Sequence, residues 1–296
     1  MEKTLRRGNV SRVSRFKSSS FRPSKSIVWS GDERILPLVF TAEGKGVVVI
    51  SEEQLQKSYR KYLKFLKGKR IALVGPAGYL VAQNKGQEID NHDLVVRLNN
   101  SFPLSPDAFL DTGSRTDILY HTCGRIKKIL KKIGTDGIGV LENDGIRWLV
   151  AKHHPFRGSF KNKAKTQRFI SASAGRIETV CAPPRLLSSL QGKLKGTDPN
   201  MGTLAITHLL TTGIRELSIY GIDFRASGYH PGYTLPPGYG WNEKRTRIIK
   251  SDGSKKSRGP HDKQRQIAYL RRMFGQDNRV KIDKHLQAVL EGRCIT

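Results

Sequence analysis

The sequence is poor in cysteine, in acidic residues and in long apolar runs, and each scarcity excludes something. Three cysteines (Cys123, Cys181 and Cys294) in 296 residues are too few and too irregular for a disulfide framework. No two stand at a metal-ligand spacing, and the set suits a reducing compartment or one with no need of bridges. No uncharged apolar stretch approaches the ~20 residues that a membrane span needs, while 37% hydrophobic residues suffice for a packed core. Transmembrane, collagen-like and fully disordered chains are excluded. Acidic residues number 25 against 53 basic ones, a formal charge of +28. That excess points to an anionic partner: nucleic acid, a phosphorylated donor or an anionic lipid surface. The basic residues are scattered, with five and no acid in residues 124–132, six and no acid in 152–168, and eleven against three in 242–272. One nucleic-acid footprint would more often be a single stripe. Zinc-finger spacing, ribonucleoprotein aromatics, heptads, Gly-x-Gly-x-x-Gly and the P-loop are all missing.

What is present has an order. Residues 1–26 are rich in Ser and Arg with one acid, Glu2, and read as a disordered basic tail. The same composition fits an organelle transit peptide. Residues 27–296 read as a single domain. Ile35–Phe40 and Val47–Ile50 are short apolar runs. Leu55, Tyr59, Tyr62, Leu63 and Leu66 fall on one helical face over residues 52–66, with Ser51 as N-cap before Glu52 and Glu53. Apolar runs then recur at Ile71–Val74, Asp93–Leu98, Thr116–Tyr120, Gly137–Leu141, Ile146–Val150 and Glu216–Tyr220. Helical stripes intervene at Ile126–Ile133, Leu204–Leu210 and Gln266–Phe274. Strands alternating with helices predict an α/β fold, a mostly parallel central sheet flanked by helices on both faces. Ligands bind such sheets at the carboxyl ends of strands, which directs attention to the turns after Val74, Leu98 and Tyr220. Residues 225–260 lack periodicity but hold Tyr229, His230, Tyr233, Tyr239 and Trp241, and read as a substrate lid.

Several blocks carry chemistry. Gly75-Pro76-Ala77-Gly78 follows a strand and could bring backbone amides to a phosphate. Gly86-Gln87-Glu88-Ile89-Asp90-Asn91-His92-Asp93-Leu94-Val95-Val96-Arg97-Leu98-Asn99 and Asp111-Thr112-Gly113-Ser114-Arg115-Thr116-Asp117 follow. Together, over about residues 70–117, they resemble the large sialylmotif of glycosyltransferase family 29, the sialyltransferases. Pro199-Asn200-Met201-Gly202-Thr203-Leu204 to Tyr220-Gly221 resembles the small sialylmotif. Tyr229-His230 with Tyr233 stands where the family has its His-Tyr motif, and His261 to Gln266 where it has His-x4-Glu.

The resemblance implies a Rossmann-like variant of the GT-A glycosyltransferase fold. It implies metal-independent, inverting transfer of a sialic acid, or a related keto-acid sugar such as Kdo, from a CMP-sugar donor to a hydroxyl of a glycan or glycolipid acceptor. It makes His261 the base and His230, with Tyr233, a hydrogen-bond donor to the departing phosphate. Gly75, Gly78, Asn99, Gly202 and Thr203 would line the donor site. No cofactor is implied, and no Asp-x-Asp stands at a strand end to hold a metal. Arg97, inside an apolar strand, is expected to pair with Asp90 or Asp93. His285 is read as structural, and His153-His154, adjacent in a strand and so pointing to opposite faces, as no metal site.

Departures from the pattern define the alternative. The family's Cys in the first strand and its partner are Ile71 and Gly213 here. Its turn Asn is Pro76, which has no N–H, and its last motif ends in Gln266 rather than Glu. These features, with the charge, allow a catalytically inactive relative that binds nucleic acid or another anionic polymer. The expected location is cytoplasmic, peripheral to a membrane through the basic patches, or an organelle if residues 1–26 are a transit peptide.

Overall fold

The computed structural model describes residues 50–99, 101–102, 105–123, 137–224, 226–233 and 261–293. The chain divides into two units, Met1–Val47 and Val48–Thr296, and all described residues belong to the second. The tail at 1–26, the runs Ile35–Phe40 and most of Val47–Ile50, the stripe Ile126–Ile133 and most of the lid at 225–260 lie outside the described residues.

Helix α1 (Glu52–Leu66) begins as its sequence requires. The Ser51 hydroxyl accepts from Gln54 N (3.1 Å), and the Gln54 side chain accepts from Ser51 N (2.8 Å), a reciprocal cap that satisfies two orphan donors. Leu55, Tyr62 and Leu66 are its buried stripe. The strands are β1 (Arg70–Val74), β2 (Leu94–Leu98), β3 (Ile118–His121), β4 (Trp148–Ala151), β5 (Glu178–Cys181), β6 (Glu216–Tyr220) and β7 (Val280–Ile282). The helices after α1 are α2 (Gly86–Asp90), α3 (Phe109–Thr112), α4 (Gly137–Asn143), α5 (Phe160–Ser173), α6 (Pro184–Lys193), α7 (Met201–Leu210), α8 (Lys263–Phe274) and α9 (Lys284–Glu291). The run expected as a strand at Gly137–Leu141 is α4. Its buried Ile138 and Leu141 stand three apart on one helical face, and five residues are too few for period alone to separate helix from strand.

The strand order is β5-β4-β3-β2-β1-β6-β7, and every neighbouring pair is parallel. Both faces are covered, so the central strands read as continuous apolar runs. One face carries a single large core that includes Tyr62, Leu73, Val96, Tyr120, Val150, Leu204 and Leu270. The other carries two smaller ones, around Leu119, Leu149 and Phe169 over one half and around Ala72, Val74, Ile89 and Val95 over the other. The order decides where a ligand can sit. From β1 the chain advances outward to β5, then α6 and α7 return it to β6 on the far side of β1. The strand order thus reverses between β1 and β6, and in such sheets a crevice for a ligand opens at the carboxyl ends of the strands near that point.

Candidate active site

A cleft occupies that crevice. Its walls come from the carboxyl ends of five strands: Pro76 and Ala77 after β1, Asn99 after β2, Thr122 after β3, Lys152 after β4, and Gly221 to Phe224 after β6. Asn200 and Gly202 at the start of α7, Tyr229 and His261 complete it. Two of these wall residues hold left-handed backbone without being glycine, Asn99 (φ 44°) and Phe224 (φ 55°). Such conformations cost energy and concentrate at functional sites.

Asn99 is fixed from both ends. Its N–H donates to Tyr120 O (2.7 Å) and its Oδ1 accepts from Thr122 N (2.9 Å), which identifies the amide NH2 as the donor beside the cleft. The start of α7 is capped by the Asn200 side chain, which accepts from Thr203 N (2.8 Å), and this helix terminus offers partial positive charge to an anion. At Gly202 an added Cβ would meet nothing closer than 3.4 Å. Packing alone therefore does not require glycine there, and its bare backbone leaves room at the helix mouth.

His261 enters from the N-terminal side of α8. Its Nδ1 lies 2.7 Å from Asp198 O. A carbonyl can only accept, so Nδ1 carries the proton and Nε2 is the basic nitrogen. Gln266 ties α8 to α7: its Oε1 accepts from Asn200 N and from the Thr203 hydroxyl (both 2.8 Å), and its Nε2 donates to Asp262 O (3.2 Å). The amide thus does two jobs, accepting on one side and donating on the other, and a carboxylate could not donate in this way.

Five of the expected site residues do not line the cleft. Gly75 and Gly78 are packing glycines: a Cβ at Gly75 would stand 2.3 Å from Gly221 O, and one at Gly78 2.5 Å from Ser227 O. Their amides, with that of Ala77, donate to Tyr220 O, Gly221 O and Gly228 O (2.8, 3.0 and 3.2 Å). The turn after β1 is thus sewn to the turns after β6 instead of offering a ring of amides to a phosphate. Thr203 is buried, its hydroxyl spent on Gln266. Tyr233 is buried and donates its hydroxyl to Gly75 O (3.2 Å); burial raises its pKa. His230 is buried behind the same turn. Gly232 N–H donates to its Nδ1 (3.0 Å), so its ring proton is on Nε2 and goes to Asp111 Oδ2 (3.3 Å). Burial tends to raise the Asp111 carboxyl, but hydrogen bonds from Asn84 N, Ala82 N and His230 hold it below its ordinary value.

Arg97 also departs from expectation. It is fully buried and pairs with neither Asp90 nor Asp93. Its Nη2 donates to Thr112 O and Gly113 O (2.7 and 2.9 Å) and its Nε to Arg115 O and Thr116 Oγ1 (both 3.0 Å). Asp90 instead accepts from Ser114 and Arg115 N–H, and Asp93 from Arg70 N. The first motif thus holds one short loop, residues 112–116, with a guanidinium at its carbonyls and a carboxylate at its amides. His153 and His154 follow β4 without belonging to a strand. Among the described residues no three His, Cys, Asp or Glu side chains gather as a metal cluster, and no helix is long and apolar enough to cross a membrane.

Lys152 and Asp198 lie in none of the motif blocks, and Asn200 and Gly221 stand in the small-motif block without having been singled out as site residues. Asn200 had a readable signal, an N-cap residue directly before a helical stripe. Lys152 had only its place after a strand.

Solved structures similar to the chain include three sialyltransferase structures. A mammalian sialyltransferase is 18% identical over 78% of this chain and 79% of that one, with a TM-score of 0.44. A mammalian sialyltransferase in complex with Gal-beta-1-3GalNAc-ortho-nitrophenol is 17% identical over 78% and 79%, with a TM-score of 0.43. The sialyltransferase CstII from Campylobacter jejuni, in complex with a substrate analogue, cytidine-5'-monophosphate, is 12% identical over 74% of this chain and 87% of that one, with a TM-score of 0.44. A search of curated proteins gives no match. The family model for glycosyltransferase family 29 (sialyltransferase) matches residues 35–221, well over half of the chain and both sialylmotif blocks. The chain belongs to glycosyltransferase family 29, the sialyltransferase family.

Proposed function

We propose that this sialyltransferase-like glycosyltransferase moves a sialic acid or a related keto-acid sugar such as Kdo from a CMP donor to a hydroxyl of a glycan or glycolipid, with inversion and without a metal. His261 is the general base of this reading. The matched span ends at residue 221, so the role of His261 rests on the residues themselves. The observation that carries it is one contact: Nδ1–H to Asp198 O at 2.7 Å, at the mouth of a cleft where five strand ends converge. His261 Nε2 accepts the proton of the acceptor hydroxyl. The oxygen attacks the anomeric carbon, the bond from that carbon to the phosphate oxygen breaks, and CMP leaves with the electron pair. The α7 N-terminus meets the charge that builds on the phosphate, and the Asn99 amide contacts the donor. His230, held by Asp111 behind the turn, takes no part in this step.

The acceptor is presented on an anionic surface. Phe160 is 70% exposed at the head of α5, and Lys161, Lys165 and Arg168 are exposed on one face of that helix, which starts just beyond the carboxyl end of β4.

The test is release of CMP from CMP-sialic acid and from CMP-Kdo in EDTA, with wild type and His261→Ala side by side. Release by wild type that His261→Ala lowers by about 100-fold or more supports the reading. No release, together with no thermal shift from CMP, sinks the donor assignment. It would leave a polyanion-binding relative, whose binding falls steeply with salt.

A further inference from the structure

The cleft contains one buried cation that the proposed reaction does not use. Lys152 follows β4 and is 4% exposed. Its Nζ lies 2.5 Å from Asp198 Oδ2 and 2.7 Å from Pro199 O. Gln191 reaches the other Asp198 oxygen at 3.4 Å. Burying an ammonium is costly, and one carboxylate and one carbonyl offset that cost without making it an obvious source of stability. A position that needed only packing would be better filled by Met or Leu. What the ammonium does is local and geometric. It pins two consecutive residues, Asp198 and Pro199, to the end of β4, and the carbonyl of the first is the acceptor for His261 Nδ1–H.

The segment 198–200 is thus held from two directions. Gln266 on α8 holds Asn200 N, and Lys152 on the sheet holds Asp198 and Pro199. His261 hangs from the Asp198 carbonyl, which lies between the two contacts of Lys152. We propose that Lys152 is a positioning residue for His261: it fixes the Asp198 carbonyl relative to the sheet and thereby fixes the orientation and tautomer of the imidazole. This rests on the reading of His261 as base. A base displaced by about 1 Å loses on the order of 100-fold in rate even when binding is intact, so the effect belongs in turnover and not in donor affinity.

The experiment compares wild type, Lys152→Met and the double variant Lys152→Met/Asp198→Asn. The double variant removes the carboxylate left without its cation, so it separates loss of position from loss of stability. Each is assayed for CMP-sialic acid turnover and for CMP affinity, and by long-range 1H–15N correlation of the His261 ring, which reports the tautomer without any reaction. The inference expects turnover lower by on the order of tenfold or more in both variants, CMP affinity within about threefold of wild type, and loss of the single Nδ1–H tautomer. Recovery of turnover in the double variant would reduce Lys152 to a charge partner and overturn it. So would a fall in CMP affinity as large as the fall in turnover, which would make Lys152 a donor contact. If the wild type releases no CMP, the reading of the reaction fails. The ring spectrum still decides the inference, since an unchanged tautomer in both variants refutes it.

Discussion

Replacing Gly75 by alanine separates two explanations of the same glycine. If Gly75 is there to let a phosphate approach the backbone, Gly75→Ala weakens donor binding and leaves the fold alone. The structure argues the reverse. The added Cβ would stand 2.3 Å from Gly221 O and 2.7 Å from the Ile222 side chain, where ordinary contact begins near 3.4 Å. The turns after β1 and β6 must part by about 1 Å, and Gly221 cannot yield cheaply because its own backbone is left-handed (φ 65°) and a Cβ built on it would stand 2.4 Å from Gly75 O. Parting them breaks or stretches Gly75 N to Tyr220 O and Ala77 N to Gly221 O (2.8 and 3.0 Å). Two hydrogen bonds at about 1 kcal/mol each, with overpacking strain of about 1–3 kcal/mol, give a loss of about 3–5 kcal/mol. The comparison variant is Gly192→Ala in α6, where a Cβ would meet nothing within 4 Å and the backbone is not left-handed. It stabilises by about 0.5–1 kcal/mol, the helix penalty of glycine. Urea unfolding at pH 7 measures both, and opposite signs are expected. A Gly75→Ala protein as stable as wild type, with CMP binding weakened, would refute the packing account and restore the phosphate cradle.

Two further predictions concern groups buried in the same sheet. Arg97→Met leaves three backbone carbonyls and the Thr116 hydroxyl without their donor and costs about 3–5 kcal/mol in urea unfolding; a loss below about 1 kcal/mol would mean that these contacts hold little. His121 is fully buried, with neither ring nitrogen hydrogen-bonded. Burial lowers its pKa to about 3, and that of His208, set among Tyr59, Tyr62 and Tyr120, to about 4. Both are neutral in the fold, while the unfolded chain protonates them near pH 6.5. The unfolded state therefore binds more protons below that pH, and stability falls on acidification, by about 2 kcal/mol per residue at pH 5. His121→Leu removes its share, so the drop between pH 7 and pH 5 shrinks by about 2 kcal/mol; an unchanged drop would show that His121 is not a neutral buried group.

The extent to which the sequence could be read follows from where each residue finds its partners. The strands Arg70–Val74, Leu94–Leu98 and Glu216–Tyr220 were legible because parallel strands buried on both faces are mostly apolar, even with Arg97 inside the second and Ser218 inside the third. Helix α1 was legible because cap and stripe lie within its own fifteen residues. Strand β5, four residues beginning with Glu178 and ending with Cys181, has no pattern long enough to read, and α4 was too short for its period to show. The site divides along the same line. A motif can mark His261, Asn99 and Gly202 as residue types in order, and the structure places all three at the cleft. At Gly75 the sequence marked a position that excludes a Cβ, but the excluding atom belongs to Gly221, far along the chain, and could as well have been a ligand. His230 poses the same problem, since its acceptor is Asp111, a residue of the first motif and not of its own. Lys152 shows it most sharply. A lysine after a strand has no spacing signal, and its contribution exists only because α7, α8 and β4 meet at Asp198. Sequence order names the groups that do chemistry; the groups that aim them are found only when the sheet is closed around them.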